Sequence, residues 1–377
     1  MNKSKKIVHI STVHHPFDPR IFHKECRSLH DEGFDVTLII TEHPDLTEKA
    51  YYPFKIITLP KVKNRFTRIF KSSFLAYKQA KRLEADVYHF HDPELIIIGN
   101  LLKNNKNTVI YDIHEDYETS IRQKTYLSKP LAKIMSKIYR FIEKRFTKSF
   151  EIVLAEKYYS EKFPNGVHIL NYPIIENNDF QNEIKTQTTT DKYELIYTGN
   201  VTKDRGALIH GSLPLIDKKI HVNFVGKCSG ELAEEIYTTA GNAKENIVID
   251  GINSFVPREI INEKYQEGKW LAGLALFPPT EHYTKKELTK FFEYMNVGLP
   301  IICSDFPVWK SFVEKYGCGI AVDPFNKEEI KKAITYLAEN PAQAREMGLR
   351  GQEAVQKDLS WNSQSLKLIN LYKSVIN

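Results

Sequence analysis

Apolar residues fall along the chain in short runs separated by longer amphipathic stretches. In the first part the runs are KIVHIS (6–11), FDVTLII (34–40), FKIITL (54–59), DVYHFH (86–91), NTVIYDIH (107–114), FEIVLA (150–155) and GVHILN (166–171). Each is strand-sized, and most are followed by a stretch of helical periodicity, which predicts βαβ units and a mostly parallel sheet. Residues 174–192, IIENNDFQNEIKTQTTTDK, are polar with little to bury and read as a linker. The pattern then restarts with YELIYTG (193–199), IHVNFVG (220–226), ENIVID (245–250), LAGLALF (271–277), PIICS (300–304) and GIAV (319–322), and ends in a helical stretch over 326–376. The expected fold is therefore α/β, with two doubly wound domains in tandem. A Rossmann-like N-terminal domain is expected over 1–172, a linker over 173–192 and a Rossmann-like C-terminal domain over 193–377, its last helix a candidate to cross back to the first domain. Ligands of such sheets bind at the carboxyl ends of the strands, and two such edges are expected to face each other across a cleft.

Composition adds location and charge. No run approaches the roughly 18 uninterrupted apolar residues of a membrane span, and the basic start MNKSKKIVHIST is too short in apolar residues for a signal peptide. The four cysteines (Cys26, Cys228, Cys303, Cys318) form no CxxC pair, so reduced, buried thiols in a cytoplasmic protein are expected. Residues 1–171 hold 29 Lys and Arg against 20 Asp and Glu, whereas the remainder of the chain is net −3. A basic N-terminal half points to an anionic partner. No RNA-binding motif is present, so an acidic membrane surface is expected rather than nucleic acid.

Candidate chemistry lies mostly in the second half. There is no GxGxxG after the first strand and no GxxxxGKS/T, which counts against dehydrogenase and P-loop readings. YTGNVTKDRG (197–206) follows a strand, turns on Gly199 and delivers Arg205 before Gly206. ELTKFFEYM (287–295) predicts a helix with Thr289 as cap and Lys290 in its first turn. A helix N-terminus offers unpaired N–H donors and partial positive charge, a site for phosphate. Arg205 and Lys290 add full cations, and Glu293, one turn on, suits sugar hydroxyls. Diphosphate beside hydroxyls describes a nucleotide.

KFFEYMNVGLPIICSDFP (290–307) resembles the E-A-M-A-x-G-x-P-V signature of family 4 glycosyltransferases, in the branch whose version reads N-K-x-x-E-Y-M. YTGNVTKDRG resembles that family's G-R-x-x-x-x-K-G loop, while HHPFDPRIFHKECRSLHDEGFDVTLI (14–39), YDIHEDY (111–117) and LNYP (170–173) resemble its N-terminal segments. The resemblance implies a GT-B fold and transfer of a sugar, with retention of configuration, from a nucleotide-diphosphate donor to a glycan or lipid-linked acceptor of the bacterial cell surface. A UDP-sugar is the expected donor, with no cofactor and no metal. It implies that Glu293 holds the ribose hydroxyls, that Arg205, with Gly206 after it, binds the diphosphate, and that His114 reaches the donor sugar and reaction centre. Gly199, Asn200, Thr289 and Glu287 complete the expected donor site, with Arg205, Lys290 and His114 as the catalytic set. This chain departs from the family pattern at three places. Lys285 stands where the first glutamate of E-x₇-E is expected, Asn200 where an arginine is, and TVHHPFDPRIF in place of a Gly-rich loop. A GT-B nucleotide-sugar epimerase and a non-catalytic GT-B subunit stay open as alternatives. Base recognition is expected from GINSFVPRE (251–259).

Three further segments bear on function. HFHDPEL (89–95) places His89 and His91 on one side of a strand, but no third convergent metal ligand is evident in sequence. Asp18 and Arg20, in the first strand-to-helix loop, are expected either to touch acceptor or to pair with each other. PLAKIMSKIYRFIEKRF (130–146) is amphipathic: Leu131, Ile134, Met135, Ile138 and Ile142 form one face, read as packed on the sheet, and Lys133, Lys137, Arg140 and Lys144 the other. Residues 121–149 hold nine Lys and Arg against the single acid Glu143, and KNRFTRIFKSSF (63–74) is also basic, which points to contact with anionic lipid.

Overall fold

The structure, a computed structural model, describes residues 4–47, 51–62, 64–114, 117–122, 128–175 and 191–376. Positions 176–190 of the expected linker lie outside the described residues. The chain forms two compact units, one of Met1–Asn171 with Trp361–Asn377 and one of Tyr172–Ser360.

In the first unit all seven apolar runs are strands: β1 (Lys6–Ile10), β2 (Asp35–Thr41), β3 (Lys55–Leu59), β4 (Val87–Phe90), β5 (Thr108–Ile113), β6 (Glu151–Leu154) and β7 (Val167–His168). They form one parallel sheet in the order β3-β2-β1-β4-β5-β6-β7. Parallel strands are buried on both faces, which is why they read as near-continuous apolar runs. Val8 and Ile10 of β1 join Phe90 and Tyr111 in one core, and Ile7 joins Leu38 and Val87 in the other. The strand order reverses between β1 and β4, so their carboxyl ends open a crevice.

A π-helix, Pro19–Cys26, follows β1 and runs into α1 (Arg27–Asp31); the remaining helices among the first unit's N-terminal residues are α2 (Arg65–Leu83), α3 (Ile96–Leu102), α4 (Tyr117–Arg122) and α5 (Lys129–Phe146). The structure corrects the reading of α5. Its buried stripe is Ala132, Ser136 and Glu143, whereas Ile134, Ile138 and Phe141 are 55%, 54% and 70% exposed, and Leu131 and Met135 are exposed as well. Of the five apolar residues expected to pack, Ile142 is the one partly buried against the core.

The second unit repeats the plan with β8 (Tyr193–Thr198), β9 (Ile220–Cys228), β10 (Ile247–Ile252), β11 (Ala272–Ala275), β12 (Ile301–Ser304) and β13 (Gly319–Val322), all parallel. Their order is β10-β9-β8-β11-β12-β13, reversing between β8 and β11. Its helices are α6 (Ala207–Gly211), α7 (Gly230–Ala240), α8 (Arg258–Gln266), α9 (Glu281–Thr284), α10 (Thr289–Asn296), α11 (Pro307–Tyr316), α12 (Lys327–Glu339) and α13 (Pro341–Lys357). The last helix, α14 (Trp361–Val375), belongs to the first unit, where Trp361, Leu368 and Tyr372 enter the core. All four cysteines are buried and unbridged. Among the described residues, no helix is long and apolar enough to cross a membrane.

Candidate functional site

In the second unit, a cavity of about 220 Å³ lies at the carboxyl end of β8 and the start of α10. Thr198, Gly199, Arg205, Glu287, Lys290 and Glu293 are among the residues that line it, with Thr289 beside them. The chain leaves β8 through Gly199 at φ +88° and turns again at Gly206, φ +77°. A Cβ at Gly206 would stand 1.9 Å from the Leu276 carbonyl oxygen, so glycine is required there both by conformation and by space. That turn aims Arg205 into the cavity, where its Nε donates to the Tyr283 hydroxyl at 3.0 Å; Tyr283 in turn donates to Asp204 at 3.1 Å.

Helix α10 begins differently from the sequence expectation. Leu288 holds the N-cap position, and no side chain caps the helix; Thr289 is the first helical residue and lines the cavity instead. Lys290, in the first turn, is buried. Its amine donates to the Thr198 carbonyl and lies 4.1 Å from the Tyr197 ring centroid. Burial pulls its pKa down to about 7; Glu293 opposes that, and Arg205 and Arg258 add to it. Glu293 pairs through Oε1 with Arg258 Nη1 at 2.6 Å. Arg258 belongs to the 251–259 segment expected to meet the base, and it opens α8 directly after Pro257.

Two expected donor residues, Asn200 and Gly206, stand apart from this cluster. Asn200 does not line it: the residue turns to a neighbouring cavity of about 420 Å³ with Lys203, Lys227 and Ser229, because its carbonyl is held by the Tyr197 hydroxyl at 2.7 Å. Gly206 shapes the backbone rather than the lining. Lys285 follows the end of α9 outside the lining, while Glu287 lines the cavity and accepts from the Tyr172 hydroxyl at 3.5 Å.

In the first unit, titratable groups gather at the carboxyl ends of β1, β4 and β5. His114 follows β5; its Nδ1 is 3.2 Å from Asp112 Oδ2 and its Nε2 is 2.8 Å from Nε2 of His14. His14 Nδ1 lies 2.8 Å from Asp92 Oδ1. A hydrogen bond between two ring nitrogens at that distance needs one of them to donate, and each imidazole is backed by a carboxylate. Burial pushes Asp92 upward, yet the bonds from His14 and the Thr12 N–H prevail and keep it below the usual carboxylate range. Asp112 is likewise disfavoured by burial but held well below that range, chiefly by Arg20.

Asp18 and Arg20 do meet, but through the Arg20 backbone rather than its guanidinium. Asp18 caps the π-helix, accepting from the Arg20 and Ile21 N–H groups at 2.9 and 3.0 Å. Arg20 is 3% exposed, and its guanidinium is taken up by carboxylates. It grips Asp112 through Nε and Nη2 at 2.8 and 2.7 Å, and Nη2 lies 3.0 Å from Glu25 Oε1. The five-residue spacing of π turns is what sets Arg20 beside Glu25. The third convergent partner missing from the sequence of His89 and His91 also emerges. His9 pairs with His89 in the β1–β4 register, and Glu25 arrives from the π-helix; the ligand atoms of these four buried residues lie within 4.8 Å of one another. The basic residues Lys133, Lys137, Arg140 and Lys144 all lie exposed on α5, beside its exposed apolar residues.

Residues 19–157 match the family Glycosyltransferase Family 4, and residues 289–354 match Glycosyl transferases group 1. No curated protein matches the chain. Among solved structures, a glycosyltransferase from Rickettsia africae superposes with a TM-score of 0.73 at 15% identity, over 99% of both chains. Sucrose-phosphate synthase from Thermosynechococcus elongatus gives 0.72 at 15% identity, over 98% of this chain and 99% of that one. Anabaena HepE, solved in complex with UDP, gives 0.67 at 10% identity, over 98% and 100%. At such identities the likeness is one of fold.

Proposed function

We propose that this chain, whose fold is GT-B, is a glycosyltransferase that moves a sugar from a UDP-sugar to a glycan or lipid-linked acceptor, with retention, in cell-surface polysaccharide synthesis. The observation that carries the donor half is the single cavity lined by Arg205, Lys290, Glu293 and the start of α10. Arg205, the α10 N–H groups and Lys290 receive the diphosphate, and Glu293, steadied by Arg258, accepts from ribose hydroxyls. UDP is favoured as the nucleotide by its presence in the structure of HepE. In the reaction the bond from the anomeric carbon to the diphosphate oxygen breaks and the acceptor oxygen bonds to the same face of that carbon. The acceptor's proton passes to the leaving diphosphate, whose growing charge the cations stabilise. The chain's own contribution is thus position and charge rather than a covalent nucleophile.

The acceptor half rests on surface character. Phe70 and Phe74 on α2, Ile97 and Leu101 on α3, and Ile134, Ile138 and Phe141 on α5 are all exposed, and α3 packs against both α2 and α5. Apolar side chains rimmed by Lys and Arg suit the surface of an anionic membrane, at which a lipid-linked acceptor would be met.

Thermal stabilisation by UDP-, GDP- and ADP-sugars tests the donor assignment. A ligand at 100 times its dissociation constant adds about 2.7 kcal/mol, several degrees for a domain of this size. The expected result is a shift with UDP-sugars and loss of that shift in Arg205→Ala. No shift with any nucleotide sugar would overturn the reading.

A further inference from the structure

We propose that His9, His89, His91 and Glu25 form a closed structural site for one divalent cation with the ligand preferences of zinc. Three imidazoles, two on strands and one just past the end of β4, and one carboxylate are a nitrogen-rich set of the kind that cation takes. Tetrahedral coordination with bonds of about 2.0–2.1 Å sets ligand atoms roughly 3.3 Å apart. Here His9 Nδ1 and His91 Nε2 are 3.0 Å apart, and Glu25 Oε2 is 3.9 Å from both His89 Nδ1 and His91 Nε2. These three edges lie on either side of the required one, and all four ligand atoms lie within 4.8 Å of one another, so the set would contract around the ion.

The surroundings fit a ligand shell better than a hydrogen-bonded core. Neither oxygen of the fully buried Glu25 accepts a hydrogen bond of good geometry, although Arg20 stands 3.0 Å from Oε1. Arg20 therefore steadies the outer oxygen and leaves Oε2 pointing inward. Outer-shell partners are already in place: His91 Nδ1 is 3.0 Å from Asp112 Oδ2, and His9 Nε2 is 3.3 Å from the Tyr372 hydroxyl. That hydroxyl also lies 2.7 Å from His89 Nδ1, and on metal binding it would turn to His9 alone. Asp112 contacts both His91 and His114, so the site braces the imidazole expected at the reaction centre.

Elemental analysis of the tag-free chain, made in zinc-supplemented medium and dialysed against a chelator, tests the proposal. About one zinc per chain should survive dialysis, and Glu25→Gln, which keeps the shape of the side chain, should reduce it several-fold. Wild-type chain refolded with Co²⁺ should show the visible bands of tetrahedral nitrogen-rich coordination, a readout that does not depend on the variant folding. Far less than one equivalent in the wild-type chain, together with no cobalt bands, would overturn the proposal. So would full zinc content that Glu25→Gln leaves intact and His43→Gln removes, since that result moves the ion to the surface group His15, His43 and Asp45.

Discussion

With its amine under the Tyr197 ring and against the Thr198 carbonyl, Lys290 sits where a charged ammonium is poorly solvated, and its pKa falls to about 7. A diphosphate beside it would favour the charged form and raise that value, so binding takes up a proton above pH 7. UDP-sugar affinity should be level below about pH 7 and weaken by up to about tenfold per pH unit above it. In Lys290→Met the calorimetric profile should lose this slope; an unchanged slope would remove Lys290 from the donor site. The ligand-free fold has the opposite dependence. An unfolded lysine stays protonated to about pH 10.4, so the cost of burying Lys290 is full below pH 7 and is relieved as pH rises above it. Lys290→Met should therefore raise the melting temperature more at pH 6 than at pH 9. Glu293→Gln tests the neighbouring role: hydrogen bonds to a charged acceptor are worth about 1.5–3 kcal/mol, so nucleotide affinity should fall tenfold or more. The Glu293–Arg258 pair is half exposed on the arginine side, so Arg258→Ala should cost less than about 1 kcal/mol of stability. Nucleotide affinity equal to wild type in Glu293→Gln would end the ribose assignment.

At the scale of elements, α5 makes the sharpest prediction. Replacing Ile134, Ile138 and Phe141 by Ser should change stability by no more than about 0.5 kcal/mol per site, as for exposed positions, whereas packed residues would each cost about 2–5 kcal/mol. The same variant should lose binding to vesicles of anionic lipid. So should the protein with Lys133, Lys137, Arg140 and Lys144 changed to Gln, since each cation near such a surface contributes about 1 kcal/mol. Equal binding to neutral and anionic vesicles, or none, would return α5 to an ordinary solvated helix. This element also marks where periodicity stops being informative. The existence of the helix was legible, but its packed side was not, because its buried residues form a narrow stripe of Ala132, Ser136 and Glu143 and its neighbours include α3 and α4. Glu143 can be buried there because Tyr139 and Lys162 bind its carboxylate at 2.5 and 2.8 Å, partners no local pattern reveals. Strands were legible for the opposite reason: burial on both faces leaves an apolar run that depends little on its neighbours. The donor cavity was legible where one segment supplies it, as with Lys290 and Glu293 on α10. Arg258, which holds Glu293, and Tyr283, which holds Arg205, come from other segments and were not.

For the whole molecule, the return of α14 to the first unit matters most. Trp361 donates from Nε1 to Ser28 Oγ at 2.8 Å, and the Tyr372 hydroxyl meets His89, so the last helix completes a core begun at the other end of the chain. Tyr372→Phe should destabilise the protein by about 1–3 kcal/mol, the cost of leaving a buried polar group without its partner. Trp361→Ala should cost about 3–5 kcal/mol. Chemical denaturation of both variants checks these values, and a wild-type midpoint in either would mean that α14 is an accessory. The helical character of 326–376 was readable, and so was a last helix able to cross back; its partners Ser28 and His89 lie far away in sequence and became visible only in three dimensions. The interleaving also orders events at the ribosome. Residues 172–360 are contiguous and can fold as soon as they emerge, but the earlier-made unit must wait with part of its apolar surface bare until residues 361–375 have been translated. The half of the protein made first is thus finished last, and during that interval it is the half that most needs a chaperone.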